Sequence, residues 1–180
     1  MSALLASVEA SSLAAAIRAS LYWFPLIESA HVLGLAMVFG TIAIIDLRLL
    51  GLAWSRRPFT SVASDTLKWT WVAFVLTAAT GVLMFITNAA VYFDNFYFRA
   101  KMLLIVAAGV NMAYFELKAR RDVLRWDRDP SAPPSARAVA ALSLVLWITI
   151  IFAGRWIGFT VTKTTVPVDP DFNIEELLPQ

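Results

Sequence analysis

The sequence predicts an all-α integral membrane protein: a bundle of four transmembrane helices behind a short N-terminal interfacial helix, with both termini on the outer face. Three observations predict it. Of the 180 residues, 59% are hydrophobic and only 16% charged, with a mean hydropathy of +0.70, whereas a soluble domain is about half apolar and a quarter charged. The apolar residues gather into four stretches of about 20 residues or more, the length needed to cross roughly 30 Å of hydrocarbon. Lys and Arg then concentrate in two of the three connecting loops, the bias that sets orientation.

Residues 1–21 read as the interfacial helix. Leu13, Ile17 and Leu21 recur every fourth position with Ala between them, a stripe suited to lying in the headgroup region. The chain turns inward at Pro25. The first span is predicted over about Trp23 to Leu52, leaving the membrane near Asp46 and Arg48. The second, Trp69 to Val91, carries no charge. The third, Phe98 to Leu117, has Lys101 and Glu116 one turn inside its ends, within snorkelling range. The fourth, Ala138 to Thr160, is interrupted only by Arg155. Aromatic residues such as Trp23, Trp69, Tyr97 and Trp156 mark the interfaces.

Loop one carries Arg56, Arg57 and Lys68, and loop three carries Lys118, Arg120, Arg121, Arg125, Arg128 and Arg137. Loop two has only Arg99. Loops one and three are therefore expected in the cytoplasm, and the acidic tail, residues 161–180, outside it. Asp129 to Ser135, with three prolines, is expected to be a non-helical, flexible connector. The whole chain, 1–180, reads as one membrane domain.

Function is bounded from both sides. A formal net charge of +2 does not suggest nucleic-acid binding. With no Cys, disulfides, thiolate metal sites and Cys nucleophiles are excluded. The N-terminus lacks the charged and apolar regions of a removable signal peptide. The lipid bilayer is the one certain partner, with other membrane subunits or a second copy of the chain as further expectations.

Ionisable residues at membrane depth usually face the bundle interior and mark sites. At 1.5 Å per residue, Glu28 and His31 lie about 8 and 12 Å below the outer boundary, and Asn88 and Met84 about 5 and 10 Å. Lys101 enters from the same side, and Arg155 sits one and a half turns before the fourth span ends. Glu28, His31, Met84, Asn88, Lys101 and Arg155 thus share one outer layer. His31 is the only histidine. It suits a haem b axial ligand, with Met84, another subunit's His31 or nothing opposite it and Lys101 and Arg155 on the propionates. It equally suits a quinone site, with His31 and Glu28 as proton partners. The plain alternative is a buried His31–Glu28 pair that fixes packing, beside a snorkelling Lys101 and an anchoring Arg155. Asp46, Arg48, Glu116 and Lys118 form a second set at the cytoplasmic edge, expected to anchor helices and form inter-helix ion pairs. The dispersed methionines and single histidine make a copper path poor.

Over nearly its whole length the chain resembles an uncharacterised family of bacterial four-helix inner-membrane proteins. The segments carrying the likeness are Trp23-Phe24-Pro25-Leu26-Ile27-Glu28 with His31 and Gly34, Asp46-Leu47-Arg48-Leu49-Leu50-Gly51, Phe98-Arg99-Ala100-Lys101, and Phe152-Ala153-Gly154-Arg155-Trp156-Ile157-Gly158-Phe159. More distantly the layout is similar to CopD-type and HemJ-type membrane proteins, through an early-helix histidine, His31, and a lysine opening a later helix, Lys101. The HemJ-type likeness implies an association with haem. The expectation is thus a small redox-associated protein of the bacterial inner membrane with a periplasmic-side haem b or quinone pocket. A non-catalytic accessory or scaffold subunit of a larger membrane complex is the alternative.

Overall fold

The computed structural model describes residues 2–165. The tail beyond them, expected to be acidic and outside the membrane, lies outside the described residues. Two short helices, α1 (Ser2–Glu9) and α2 (Ser12–Ala19), precede α3 (Trp23–Leu50) and α4 (Phe59–Thr87). A one-turn-and-a-half helix α5 (Ala89–Asp94) leads into α6 (Phe96–Tyr114), which continues as a π-helical turn, Phe115–Ala119. The short α7 (Val123–Trp126) and the long α8 (Pro134–Thr165) complete the chain, and no strand occurs among the described residues. Four helices, α3, α4, α6 and α8, are long and apolar enough to cross a membrane. The protein is a multi-pass membrane protein.

α4 and α8 start earlier than the predicted runs, whereas α3 ends at Leu50, two residues short of Leu52, and α4 ends at Thr87, four short of Val91. α4 begins ten residues before Trp69. Asp127, from the loop after α6, accepts the Thr60 amide on Oδ1 at 2.7 Å and the Thr60 hydroxyl on Oδ2 at 3.1 Å, and its carbonyl takes the Phe59 amide at 2.9 Å. Such N-terminal capping supplies partners for otherwise orphaned amides. α8 starts at Pro134, inside the segment expected to be non-helical, because proline has no N–H to orphan in a first turn. α3 stops at Gly51, whose φ of 76° is left-handed. A side chain there would meet Ser131 Cβ at 2.8 Å and the Pro130 carbonyl at 2.9 Å.

The interfacial segment also differs from expectation. It breaks into two helices at Ser11, whose hydroxyl caps α2 by accepting the Ala14 amide at 3.3 Å. Ala14 and Ile17 are buried, while Leu13 and Leu21 point outward. Arg18 fastens the pair to the bundle, donating to the Thr87 carbonyl at 2.9 Å and the Glu9 carbonyl at 2.8 Å. The Glu9 carboxylate caps α5 by accepting the Ala90 amide at 2.8 Å.

α3 is the central helix, packed on α4 and α8, with α8 in turn packed on α6. Close contact of α3 with α4 depends on Gly34, where a Cβ would lie 2.5 Å from Thr77 Oγ1 and 3.6 Å from the Ala73 carbonyl oxygen. Small residues allow this approach where lipid offers no hydrophobic drive. α4 and α6 meet through the Phe85–Phe98 ring stack at one end and leave a gap between them toward the other, which matters below.

The loop after α6 is packed rather than flexible. Trp126 is buried with Leu49, Phe59, Ala132, Ala136 and Ala140, and its ring lies 5.2 Å from that of Phe59. The Ala132 amide donates to the Leu49 carbonyl at 3.0 Å. The segment folds back beneath the bundle and plugs one end of it.

Candidate functional site

Two polar layers lie inside the bundle, one near each end. In the first, His31 is half-buried on α3 and faces α4. Its Nδ1 is 3.0 Å from Thr80 Oγ1. The Thr80 hydroxyl is directed at the Leu76 carbonyl, 2.8 Å away, which leaves its oxygen placed to accept from Nδ1–H. The ring fits because Gly81 has no side chain: a Cβ there would meet His31 Cε1 at 3.1 Å. Lys101, from α6, lies close enough to act electrostatically on His31. Its chain crosses Gly154 of α8, where a Cβ would be 3.5 Å from Nζ. No carboxylate pairs with Lys101 among the described residues. The first glycine of the Gly154–Gly158 pair thus admits a lysine side chain, and Gly158 has open space beyond its Cα.

The structure therefore brings His31 and Lys101 together from α3 and α6, with Thr80 from α4 and Gly154 from α8. It separates the other residues of the layer. Glu28 is exposed and lies near Tyr92, whose phenol is pushed above its ordinary range by burial and then by the Glu28 charge. His31 pairs with Thr80 and not with Glu28, because one turn of helix moves Glu28 to the rim of the buried face. Arg155 is exposed, its guanidinium 4.9 Å from the Phe159 ring centre, a cation–π contact along its own helix. Asn88 ends α4 as the hinge into α5, with φ −150°, and its amide is within 3.5 Å of the Thr87 hydroxyl. Met84 is half-buried on the α4 face that carries Thr80 and Gly81. Above the layer, Phe85 of α4 stacks on Phe98 of α6 at 5.3 Å. Asn95 caps α6 and donates to Thr160 Oγ1 at 2.8 Å, tying α6 to the end of α8.

The second layer is more deeply enclosed than the sequence indicated. Arg48 is 0% exposed and Asp46 only 5%. Arg48 donates to three main-chain carbonyls, of Arg57 at 2.8 Å, Asp127 at 3.1 Å and Asp129 at 3.0 Å. Asp46 faces the opposite way, into a cavity of about 340 Å³ between α4 and α6, floored by α3 and α8. Ser143 of α8 lines the same cavity, and Asp46 Oδ2 has no hydrogen-bond partner. The expected inter-helix ion pairs do not form among the described residues: Glu116 pairs with Arg120 at 2.6 Å on its own helix, and Lys118 is exposed. The reason is geometric, since Arg48 is drawn to carbonyls of the folded-back loop and away from the other helices. Asp46 was readable only as a charged residue near a helix end. Its alternation with Arg48, two residues on and therefore on another face, was the available signal.

A family of unknown function, DUF6644, matches residues 8–160. The chain belongs to this family. The match spans α2 to α8 and so includes both polar layers. No curated protein and no solved structure matches the chain.

Proposed function

We propose that this member of the DUF6644 family is a small redox-associated protein of the bacterial inner membrane, with both termini in the periplasm, that binds a quinone headgroup between His31 and Lys101. The observation behind the reading is the Lys101 ammonium beside His31 with no carboxylate to pair with it. A cation at membrane depth is expensive unless an electron-rich group meets it. A ring carbonyl oxygen is such a group. His31 Nε2, the ring nitrogen that Thr80 does not hold, takes or returns the proton of the opposite ring oxygen. A bound quinone would supply two-electron, two-proton chemistry there.

Haem b fits these residues less well. The one histidine offers one nitrogen, and Arg155 is exposed and engaged with the Phe159 ring, so Lys101 is the buried cation left for the propionates. The test is purification in mild detergent, an absorption spectrum, and organic extraction with mass spectrometry. The quinone reading expects a co-purified quinone without a Soret band, depleted in His31→Ala and Lys101→Ala. A Soret band lost in His31→Ala would replace quinone by haem.

The second reading is a non-catalytic accessory or scaffold subunit, or a homo-oligomer. It rests on α6, which packs mainly on α8 and leaves Leu103, Val106 and Val110 uncovered. A preparation holding neither quinone nor haem favours it.

A further inference from the structure

The cavity holding Asp46 is separate from the His31–Lys101 layer. Asp46 follows His31 by 15 residues on one helix, a rise of about 22 Å at 1.5 Å per residue. We propose that this cavity is a second binding site, for a compact hydrophobic molecule bearing a hydrogen-bond donor, a hydroxyl or a protonated amine, which it presents to Asp46.

The argument rests on three features. The first is the shape: α4 and α6 diverge while α3 and α8 stay packed, leaving about 340 Å³ of space within the span of the bundle. That volume lies in the range of small-molecule pockets, which join apolar walls to a few convergent polar groups. The second is the lining. Trp71 and Phe74 of α4 face Ile105 and Phe115 from the α6 side, with Trp147 of α8 on the floor. Flat aromatic walls of this kind enclose a rigid apolar body.

The third feature is the polar end. Asp46 is 5% exposed, and its Oδ2 has no hydrogen-bond partner. A buried acceptor without a partner costs about 1–3 kcal/mol, more when charged; Arg48 Nη1 and Trp126 Nε1 are also buried without partners, but of the three residues Asp46 alone lines the cavity. Other polar side chains nearby are already committed. Asn111 donates through Nδ2 to the Val139 carbonyl at 3.1 Å. Thr70 donates to the Thr66 carbonyl at 3.2 Å, and Arg120 holds Glu116. Asp46 makes no ion pair among the described residues. An acceptor facing an apolar-walled space calls for a donor carried on an apolar body. An anion is excluded by the same carboxyl and by Glu116 at the rim. The folded-back loop, through Phe59 and Trp126, closes the Arg48 end, so entry is lateral, between α4 and α6.

The probes are 1-adamantanamine, 1-adamantanol and adamantane-1-carboxylate, which share one apolar cage and differ in the head. Binding to the full-length protein in detergent is followed by tryptophan fluorescence, since Trp71 and Trp147 line the space. The expected result is at least tenfold tighter binding of the amine or the alcohol than of the carboxylate, with at least a tenfold loss in Asp46→Asn. Gly109→Leu provides an independent check. Gly109 lines the cavity, and a Cβ there meets nothing within 4 Å, so leucine extends into the space without a clash at its root. It also improves helix propensity. This variant should fold and lose binding of all three probes. Equal affinity for the three heads, or unchanged donor binding in Gly109→Leu, would overturn the proposal. The His31 layer is untouched by either substitution, so quinone content after extraction tests the two sites separately.

Discussion

Arg48 donates to the main-chain carbonyl of Asp127 at 3.1 Å, and the Asp127 carboxylate caps α4 through the Thr60 amide at 2.7 Å. One fully buried guanidinium therefore joins the end of α3, the loop after α6 and the start of α4. Arg48→Ala would leave three carbonyls without their donor, at about 1–3 kcal/mol for each group left unsatisfied. Unfolding in mixed micelles should show a loss of about 3 kcal/mol or more. Arg48→Lys should recover little of it, because an ammonium cannot present the planar fork. Arg57→Ala, which removes the exposed ion pair with Asp65, should cost at most about 1 kcal/mol. Comparable losses for Arg48→Ala and Arg57→Ala would contradict this account of the plug.

The glycines of the spans should respond oppositely to alanine. At Gly34 the new methyl would meet Thr77 Oγ1 at 2.5 Å, while that hydroxyl is held by the Ala73 carbonyl at 2.8 Å. Overpacking of this kind costs about 1–3 kcal/mol. A double variant with Thr77→Ala should recover part of the loss, a coupling that a double-mutant cycle measures. At Gly40 nothing lies within 4 Å, and alanine there should be neutral or stabilising by up to about 1 kcal/mol.

Thr80 holds the His31 ring by its Nδ1. Thr80→Val keeps the shape of the side chain and removes the acceptor. Stability should fall by about 1 kcal/mol, while the amount of quinone extracted with the protein should fall several-fold, because Nε2 is no longer held in place. Loss of stability without loss of quinone would leave Thr80 a packing residue only.

Arg18 is the fastening of the N-terminal helices, through the Thr87 and Glu9 carbonyls. Arg18→Ala should raise amide hydrogen exchange throughout 2–19 and at the α4–α5 junction near Ala90, whose amide depends on Glu9. Exchange in the α3–α4 interface around Gly34 should not change. Uniform protection in the variant would show that Ala14 and Ile17 suffice to hold α2.

The four spans were legible because hydrocarbon tolerates only long apolar helices, and that constraint acts on each segment separately. The bounds of α4 and α8 were less so, since their ends depend on Asp127 and on the Pro134 start, which no hydropathy window weighs. In the outer layer Lys101 lies within electrostatic reach of His31. Glu28 and Arg155 share that depth but not the face, and rotation about a helix axis is decided by neighbouring helices. The cavity at Asp46 had no linear signature, because it arises from the divergence of two helices that touch through Phe85 and Phe98 nearer their other ends.

The sequence by itself determined how many times the chain crosses the membrane and roughly where, because the transfer of side chains from water to lipid is a property of each residue. Only the tertiary structure decided which polar groups are shared and which are left unmatched. That outcome follows from how α3 seats between α4 and α8 and from the loop that folds back under it. Arg48 and Asp46, two residues apart, end as a donor shared among three carbonyls and an acceptor whose Oδ2 is unmet. The physical reason is that a hydrogen bond needs a partner at about 3 Å in the right direction, and direction is set by packing.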